Sequence, residues 1–277
     1  MSAEDAFLDA LSEPFKTQAW NLLTERARDV DAFIAISNYY GTRMSERLKL
    51  PPQQLRTVPN GILLDGYPTS PVPAPASQTI GFLARLHPGK GLKTLVQAFI
   101  LLRQNGRHPQ LKLHIAGSQT PADLPFIDEL RGLLQKASLQ SEVIISPNID
   151  RAEKIAFLQS LTVFSVPATY GEAFGLYVLE ALAAGIPVVQ PNHAAFPELI
   201  EATGGGLLCK PDDPQDLADQ LEKLLDDPVR ARKLGEAGRL AVREQFSVER
   251  MTGGVLDVFE SIRLPTVGQA GQAGQTR

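Results

Sequence analysis

Thr79-Ile80-Gly81-Phe82-Leu83-Ala84 is an apolar run that leads through Arg85-Leu86-His87-Pro88-Gly89-Lys90-Gly91 into spaced apolar positions at Leu92, Leu95, Val96 and Phe99. A strand that is apolar throughout is buried on both faces, and a helical period directly after it predicts a strand–turn–helix unit of a parallel sheet. The same alternation recurs toward the C-terminus. Strands are expected at 79–84, 111–116, 142–146, 162–166, 186–190 and 206–209, with helices near 91–104, 123–137, 151–160, 175–184, 194–201 and 214–226. That order predicts an α/β fold, a doubly wound parallel sheet of the Rossmann-like kind, which binds ligands at the C-terminal ends of its strands. Further helical patterns follow at 228–245 and 247–263; the charges from Arg230 to Arg239 suit a solvated helix face.

Toward the N-terminus the pattern changes. Tyr67 to Ser77 carries four prolines in eleven residues and reads as an extended linker. Before it, spaced apolar residues over 6–30, interrupted near Pro14, suit helical packing. A short strand at 32–36, a helix from the cap Ser37 to about Leu48 and a strand at 55–58 come next. The expected organisation is therefore a small unit at 1–61, a linker at 62–78, a large α/β domain at 79–246, a C-terminal helix at 247–263 and a disordered tail at 264–277, where Gly-Gln-Ala repeats.

Composition narrows the function. Basic and acidic residues number 27 and 31, mixed along the chain for a formal charge of −4, which is not the basic footprint of a nucleic-acid binder. No run approaches a membrane span, and the acidic N-terminus lacks the features of a secretory signal, so a cytoplasmic location is expected. The single cysteine, Cys209, excludes an internal disulfide and reads as a small apolar strand residue. His87, His108, His114 and His193 lack the spacing of a local metal motif, and Asp29-Val30-Asp31 precedes a strand instead of ending one, so no metal site is expected from either.

Two segments carry chemistry. Arg85 at a strand end and Lys90 at a helix entrance converge either on a diphosphate or on solvent; the spacing fits neither a dinucleotide fingerprint nor a P-loop. The second is Ala168-Thr169-Tyr170-Gly171-Glu172-Ala173-Phe174-Gly175-Leu176-Tyr177-Val178-Leu179-Glu180. Here a loop carrying Glu172 enters a helix whose first amides, at Gly175 and Leu176, suit a phosphate. Glu180 lies within an otherwise apolar helix and needs a partner, either a vicinal diol such as a ribose or a lysine or arginine from elsewhere.

Taken in order, Pro59-Asn60-Gly61, Arg85 to Gly91, Ile115-Ala116-Gly117, Glu172-Ala173-Phe174-Gly175-Leu176 through Glu180-Ala181, Gly185-Ile186-Pro187-Val188-Val189 and Pro197-Glu198-Leu199-Ile200 resemble the C-terminal domain of family four (group 1) glycosyltransferases, which have the two-domain GT-B fold. The resemblance covers about residues 30–260. It implies retaining transfer from a nucleoside-diphosphate sugar to a sugar, lipid or protein acceptor, without a metal or other cofactor. Arg85 and Lys90 would hold the diphosphate, helped by Phe174, Gly175 and Leu176. Glu180 would bind the ribose, Glu172 would sit beside the donor sugar as the catalytic residue, and Asn148 and Ile149 would lie near the base. Ala194-Ala195 stand where many members carry Gly-Gly, which leaves the donor loop open. The resemblance also makes 1–61 a remnant of the acceptor-side domain, so that the chain supplies the donor-binding half and a separate N-terminal half is a possible partner.

Overall fold

The computed structural model describes residue 1 and residues 4–73, 75 and 77–262; the tail read as disordered at 264–277 lies outside them. The N-terminal unit comprises α1 (Glu4–Asp9), α2 (Phe15–Arg26), β1 (Phe33–Ala35), α3 (Asn38–Leu48) and β2 (Leu55–Thr57), with β1 and β2 paired in parallel. Ser37 caps α3 as the sequence predicts: its Oγ accepts from the Tyr40 amide at 3.0 Å. Tyr40, Met44 and Leu48 turn one face of α3 into a small core that also takes in Ala27, Leu50 and, from the far side of the molecule, Ala173. So small a core leaves much of the helical pair uncovered, and the packing expected over 6–30 is only partly realised. Phe7 and Phe15 remain 71% and 62% exposed.

The large domain runs β3 (Thr79–Leu83), α4 (Leu92–Gln104), β4 (Lys112–Gly117), α5 (Leu124–Lys136), β5 (Val143–Pro147), α6 (Arg151–Gln159), β6 (Val163–Phe164), α7 (Leu176–Ala183), β7 (Val188–Pro191), α8 (Phe196–Thr203), β8 (Gly206–Cys209) and α9 (Pro214–Leu225). All six strands are parallel in the order β5-β4-β3-β6-β7-β8. Every residue of β3 and β7 is buried, as apolar strands covered by helices on both faces must be. The chain starts at β3 in the middle, winds outward to β5, then returns to β6 and winds the other way. That reversal opens a crevice beyond the C-terminal ends of β3 and β6, the ligand position in sheets of this kind.

Two more helices close the fold, α10 (Pro228–Gln245) and α11 (Val248–Ser261). The expected solvated face of α10 is interrupted at Arg239. Its side chain is 4% exposed, pairs with Glu236 and donates to the Pro68 and Thr69 carbonyls. Arg243 donates to the Tyr67 and Pro68 carbonyls. A proline-rich segment has few amides of its own to donate, so its bare carbonyls take these guanidinium protons and the segment lies along α10. The chain then passes back toward the N-terminal unit, where Ile62 exchanges backbone bonds with Phe246 and Val248 and Gly254 of α11 packs on Val58. Among the described residues no helix is long and apolar enough to cross a membrane.

Candidate functional site

The crevice is built from two loops that lock onto each other. After β3, buried Leu86 anchors the first loop, and the imidazole Nδ1 of His87 accepts from the Gly89 amide at 3.1 Å. Gly91 then turns the chain into α4 at φ 73°, where a Cβ atom would lie 1.7 Å from the Pro167 carbonyl oxygen. Only glycine allows both that backbone and that approach. From the second loop, after β6, the Thr169 amide donates to the Gly89 carbonyl at 3.0 Å. The ends of the two strands at the reversal are thereby tied together.

The second loop ends at Gly175, whose φ of 94° and ψ of 61° start α7. Phe174 is buried just before it and Leu176 is largely exposed just after. The first-turn amides of Leu176 and Tyr177 lie outside the helix ladder and carry the positive end of its dipole. Beside them Glu172 Oε2 accepts from three groups: Lys90 Nζ at 2.6 Å, the Tyr177 hydroxyl at 2.9 Å and the Tyr170 hydroxyl at 3.1 Å. The Lys90 ammonium also lies 4.9 Å from the ring centre of Tyr170 and 5.2 Å from that of Tyr177. Burial pushes the Lys90 ammonium toward deprotonation, but the Glu172 carboxylate more than offsets this and holds it above its ordinary value. The buried Tyr177 phenol is pushed well above the ordinary tyrosine value, first by burial and then by the same carboxylate. The cluster therefore keeps a fixed charge pattern, a cation and an anion locked between two neutral phenols.

Arg85 lies at the mouth of this cluster. Its guanidinium is half exposed and 3.5 Å from Asp123, whose carboxylate is held ionised below the usual range by the Thr120 hydroxyl and amide and then by Arg85. Arg85, His87, Lys90, Tyr170 and Glu172 line one cavity of about 470 Å³, closed on its other side by Asp5, Asp9 and Arg43 of the N-terminal unit. The structure thus brings Arg85, Lys90 and Glu172 together as the sequence suggests.

The remaining residues do not line that cavity. Glu180 accepts from Lys154 Nζ of α6 at 2.5 Å, so of the two partners the sequence left open the structure supplies a lysine. Asn148 sits in the left-handed region at φ 56° after β5; its side chain exchanges bonds with the Gln119 backbone, and its neighbour Ile149 packs against the core. Asn148 thus ties the loops after β4 and β5.

Sequence reasoning missed Tyr170 and Tyr177 as holders of Glu172, although both lie inside the segment it singled out. Lys154 and Asp123 left no local signal, because strand crossovers bring them in from distant positions. Glu198, read only as part of a motif, accepts from the Asn38 and Tyr39 amides at the start of α3. His114 and Cys209 sit where the sequence placed them: His114 packs edge-on against Phe157 in β4, and burial pushes the Cys209 thiol up to about 12, which leaves it unreactive.

Comparison with known proteins agrees with this geometry. The profile of the family described as Glycosyl transferases group 1 matches residues 71–241. An exopolysaccharide phosphotransferase from Streptomyces coelicolor is 32% identical over 213 residues, which are 76% of this chain and 21% of that protein. A phosphatidyl-myo-inositol mannosyltransferase from Mycobacterium tuberculosis is 31% identical over 220 residues, 74% of this chain and 53% of the relative. The chain therefore spans about half of that relative's length, or less in the case of the phosphotransferase. The crystal structure of Anabaena HepE in complex with UDP superposes with a TM-score of 0.78 at 20% identity, over 92% of this chain and 69% of that one, a likeness of fold. With a matched profile that covers more than half of its length, the chain belongs to the group 1 glycosyl transferases.

Proposed function

We propose that this chain forms the donor-binding half of a retaining glycosyltransferase that uses a nucleoside-diphosphate sugar. The observation that carries the reading is the Lys90–Glu172–Tyr177 cluster, set beside the first amides of α7 in the crevice between β3 and β6. A diphosphate there meets Lys90, the half-exposed Arg85 guanidinium and the Gly175–Leu176 turn, all favourable to anions. Glu172 lies next to the sugar as the catalytic residue, Glu180 exchanges part of its bond to Lys154 for a ribose diol, and Asn148 and Ile149 border the base. UDP in the HepE complex supports the ligand class. Retention, and transfer without a metal or other cofactor, rest on the resemblance of the quoted motifs to family four. The acceptor is a sugar, a lipid or a protein, and the proposed place of reaction is the cytoplasm.

Titration calorimetry with UDP, GDP and ADP tests the donor site: one of them should bind, and Glu180→Ala should weaken it where His114→Ala does not. Binding of none of the three would overturn the reading. A second reading is favoured by the share of its relative that the chain spans, 53% of the mannosyltransferase. In that reading the chain binds donor but transfers only with a separate acceptor-side half. Turnover of a donor by the purified chain alone would rule this second reading out.

A further inference from the structure

At the opposite end of the sheet from the crevice, by the N-terminal ends of β3 and β4, three side chains meet. They come from the loop after α4 and from the C-terminal end of α9. The imidazole of His108 is 6% exposed; its Nε2 makes no hydrogen bond but faces Asp226 Oδ1 at 3.3 Å and Glu222 Oε1 at 4.0 Å. The three candidate ligand atoms lie within 4.8 Å of one another.

The protonation of this imidazole is set from behind. Gln78 Nε2 donates to the Leu225 carbonyl at 2.8 Å, which can only accept, so the amide orientation is fixed and Gln78 Oε1 faces His108 Nδ1 at 2.9 Å. Nδ1 donates to Gln78, which leaves the buried Nε2 as the ring atom aimed at the two carboxylates. A cation between the three atoms would give Nε2 the partner that it lacks. The carboxylates are oriented from outside: Arg107 pairs with Glu222 Oε2 at 2.9 Å and with Asp226 Oδ2, and Asn105 donates to Glu222 Oε1 at 2.7 Å. With Arg107 counted, the group carries one net negative charge around the imidazole.

We propose that His108, Glu222 and Asp226 bind a divalent transition cation of the zinc class. A tetrahedral ion with bonds of about 2.0–2.1 Å sets its ligand atoms roughly 3.3 Å apart; the His108–Asp226 pair stands at that spacing, and Glu222, at 4.0 Å from Nε2, would close in on the ion. An imidazole nitrogen with two carboxylates suits zinc, cobalt or nickel better than magnesium or calcium, which prefer oxygen throughout. Gln78 supplies the outer bond that orients a metal-bound histidine. The ion cross-links the loop after α4 to the end of α9 and stands at the N-terminal end of the sheet, away from the donor crevice, so it takes no part in transfer.

The test is calorimetry of the full chain with zinc chloride and, in parallel, magnesium chloride, together with the visible absorption of the chain loaded with cobalt(II). Zinc should bind with one equivalent, magnesium should not, and cobalt should give the intense bands of a four-coordinate ion. His108→Gln should weaken zinc by at least about tenfold, and Gln78→Leu by about 10–100-fold, as for other outer-shell partners. Asp226→Asn, close in shape to the original and at a position 36% exposed, should weaken zinc as well, and it keeps the test decisive if His108→Gln misfolds. Absence of saturable zinc binding by the unaltered chain would overturn the proposal, as would an isotherm unchanged in Asp226→Asn.

Discussion

Replacing Glu172 by glutamine keeps the shape of the side chain but removes the charge around which Lys90, Tyr170 and Tyr177 are arranged. An amide oxygen can still accept from all three, so no buried donor is orphaned. What is lost is the charge assistance. Hydrogen bonds to an ionised group contribute about 1.5–3 kcal/mol and neutral ones about 0.5–1.5, so each bond weakens by about 1 kcal/mol. Three bonds converge on Oε2, which gives an upper figure of about 3 kcal/mol. The Lys90 and Glu172 side chains are 20% and 14% exposed, and water there screens part of the pair. A loss of about 2 kcal/mol is the expected result in urea unfolding of the ligand-free chain.

The same change should act in the opposite sense on nucleotide. Lys90 is held by a carboxylate in the free protein, and a diphosphate must compete for it. In Glu172→Gln that competition is gone along with one negative charge near the phosphates, so the UDP dissociation constant should hold or fall while transfer is lost. A double-mutant cycle with Lys90→Met should return a coupling of about 1–3 kcal/mol in stability. A stability change below about 0.5 kcal/mol, within the range of an ordinary surface substitution, would refute the reasoning, because the cluster would then be a solvated pair and not a buried network.

Three other outcomes are expected. Hydrogen bonds from Arg47, the Thr120 hydroxyl and Arg239 hold the carboxyls of Asp9, Asp123 and Glu236 below their ordinary values, so the stability these groups add is complete above those values and lost as pH falls through the lowered ones. The thermal midpoint should stay level from neutrality to about pH 5 and drop between about pH 4 and 2, and Asp9→Asn should shallow that drop. Gly91→Ala forces a left-handed backbone on alanine, about 1–3 kcal/mol, and drives a methyl against the Pro167 carbonyl, so urea unfolding should show more than the backbone term alone and UDP binding should weaken with it. Ser37→Ala removes both the α3 cap and the hydrogen bond from Ser37 Oγ to the Ala173 carbonyl at 2.7 Å; a loss of about 1–3 kcal/mol by urea unfolding is expected.

The sheet was legible because its central strands, such as β3 and β6, are apolar on both faces and helix starts and stops are marked, as at Gly91 and Gly185. Arg85, Lys90 and Glu172 were legible for a related reason: polar residues at strand ends beside glycine turns have little structural use there. Glu180 was legible only as a residue in need of a partner. Lys154, which fills that need, lies on α6, and only the crossover through β6 brings the two together. The exposure of Phe7 and Phe15 was not legible at all, since apolar spacing says that a helix has a face and not what covers it. His108 shows the same limit from the other side: its metal-ligand partners lie more than a hundred residues away, and no spacing rule reaches them.

The ties between the two units bear on how the site works. Loop 170–175 carries Glu172 and leads into α7, yet much of what fixes it belongs to the N-terminal unit. Ser37 holds the Ala173 carbonyl, Ala173 fills the core under α3, and Gly171 lies so close to Tyr39 that an added Cβ would stand 2.4 Å from its hydroxyl. From the other direction Glu198 of α8 holds the Asn38 and Tyr39 amides, where a carboxylate also complements the α3 dipole. Loop 170–175 is therefore held from both units: Ser37 and Tyr39 fix it on one side, and Lys90, Tyr177 and the Ala195 amide, which donates to the Glu172 carbonyl at 3.3 Å, fix it on the other. The Lys90–Glu172 pair is thus in mechanical contact with the seat of the N-terminal unit, through Ser37 and Ala173, and a change in that seat would strain the pair without any change in the sheet.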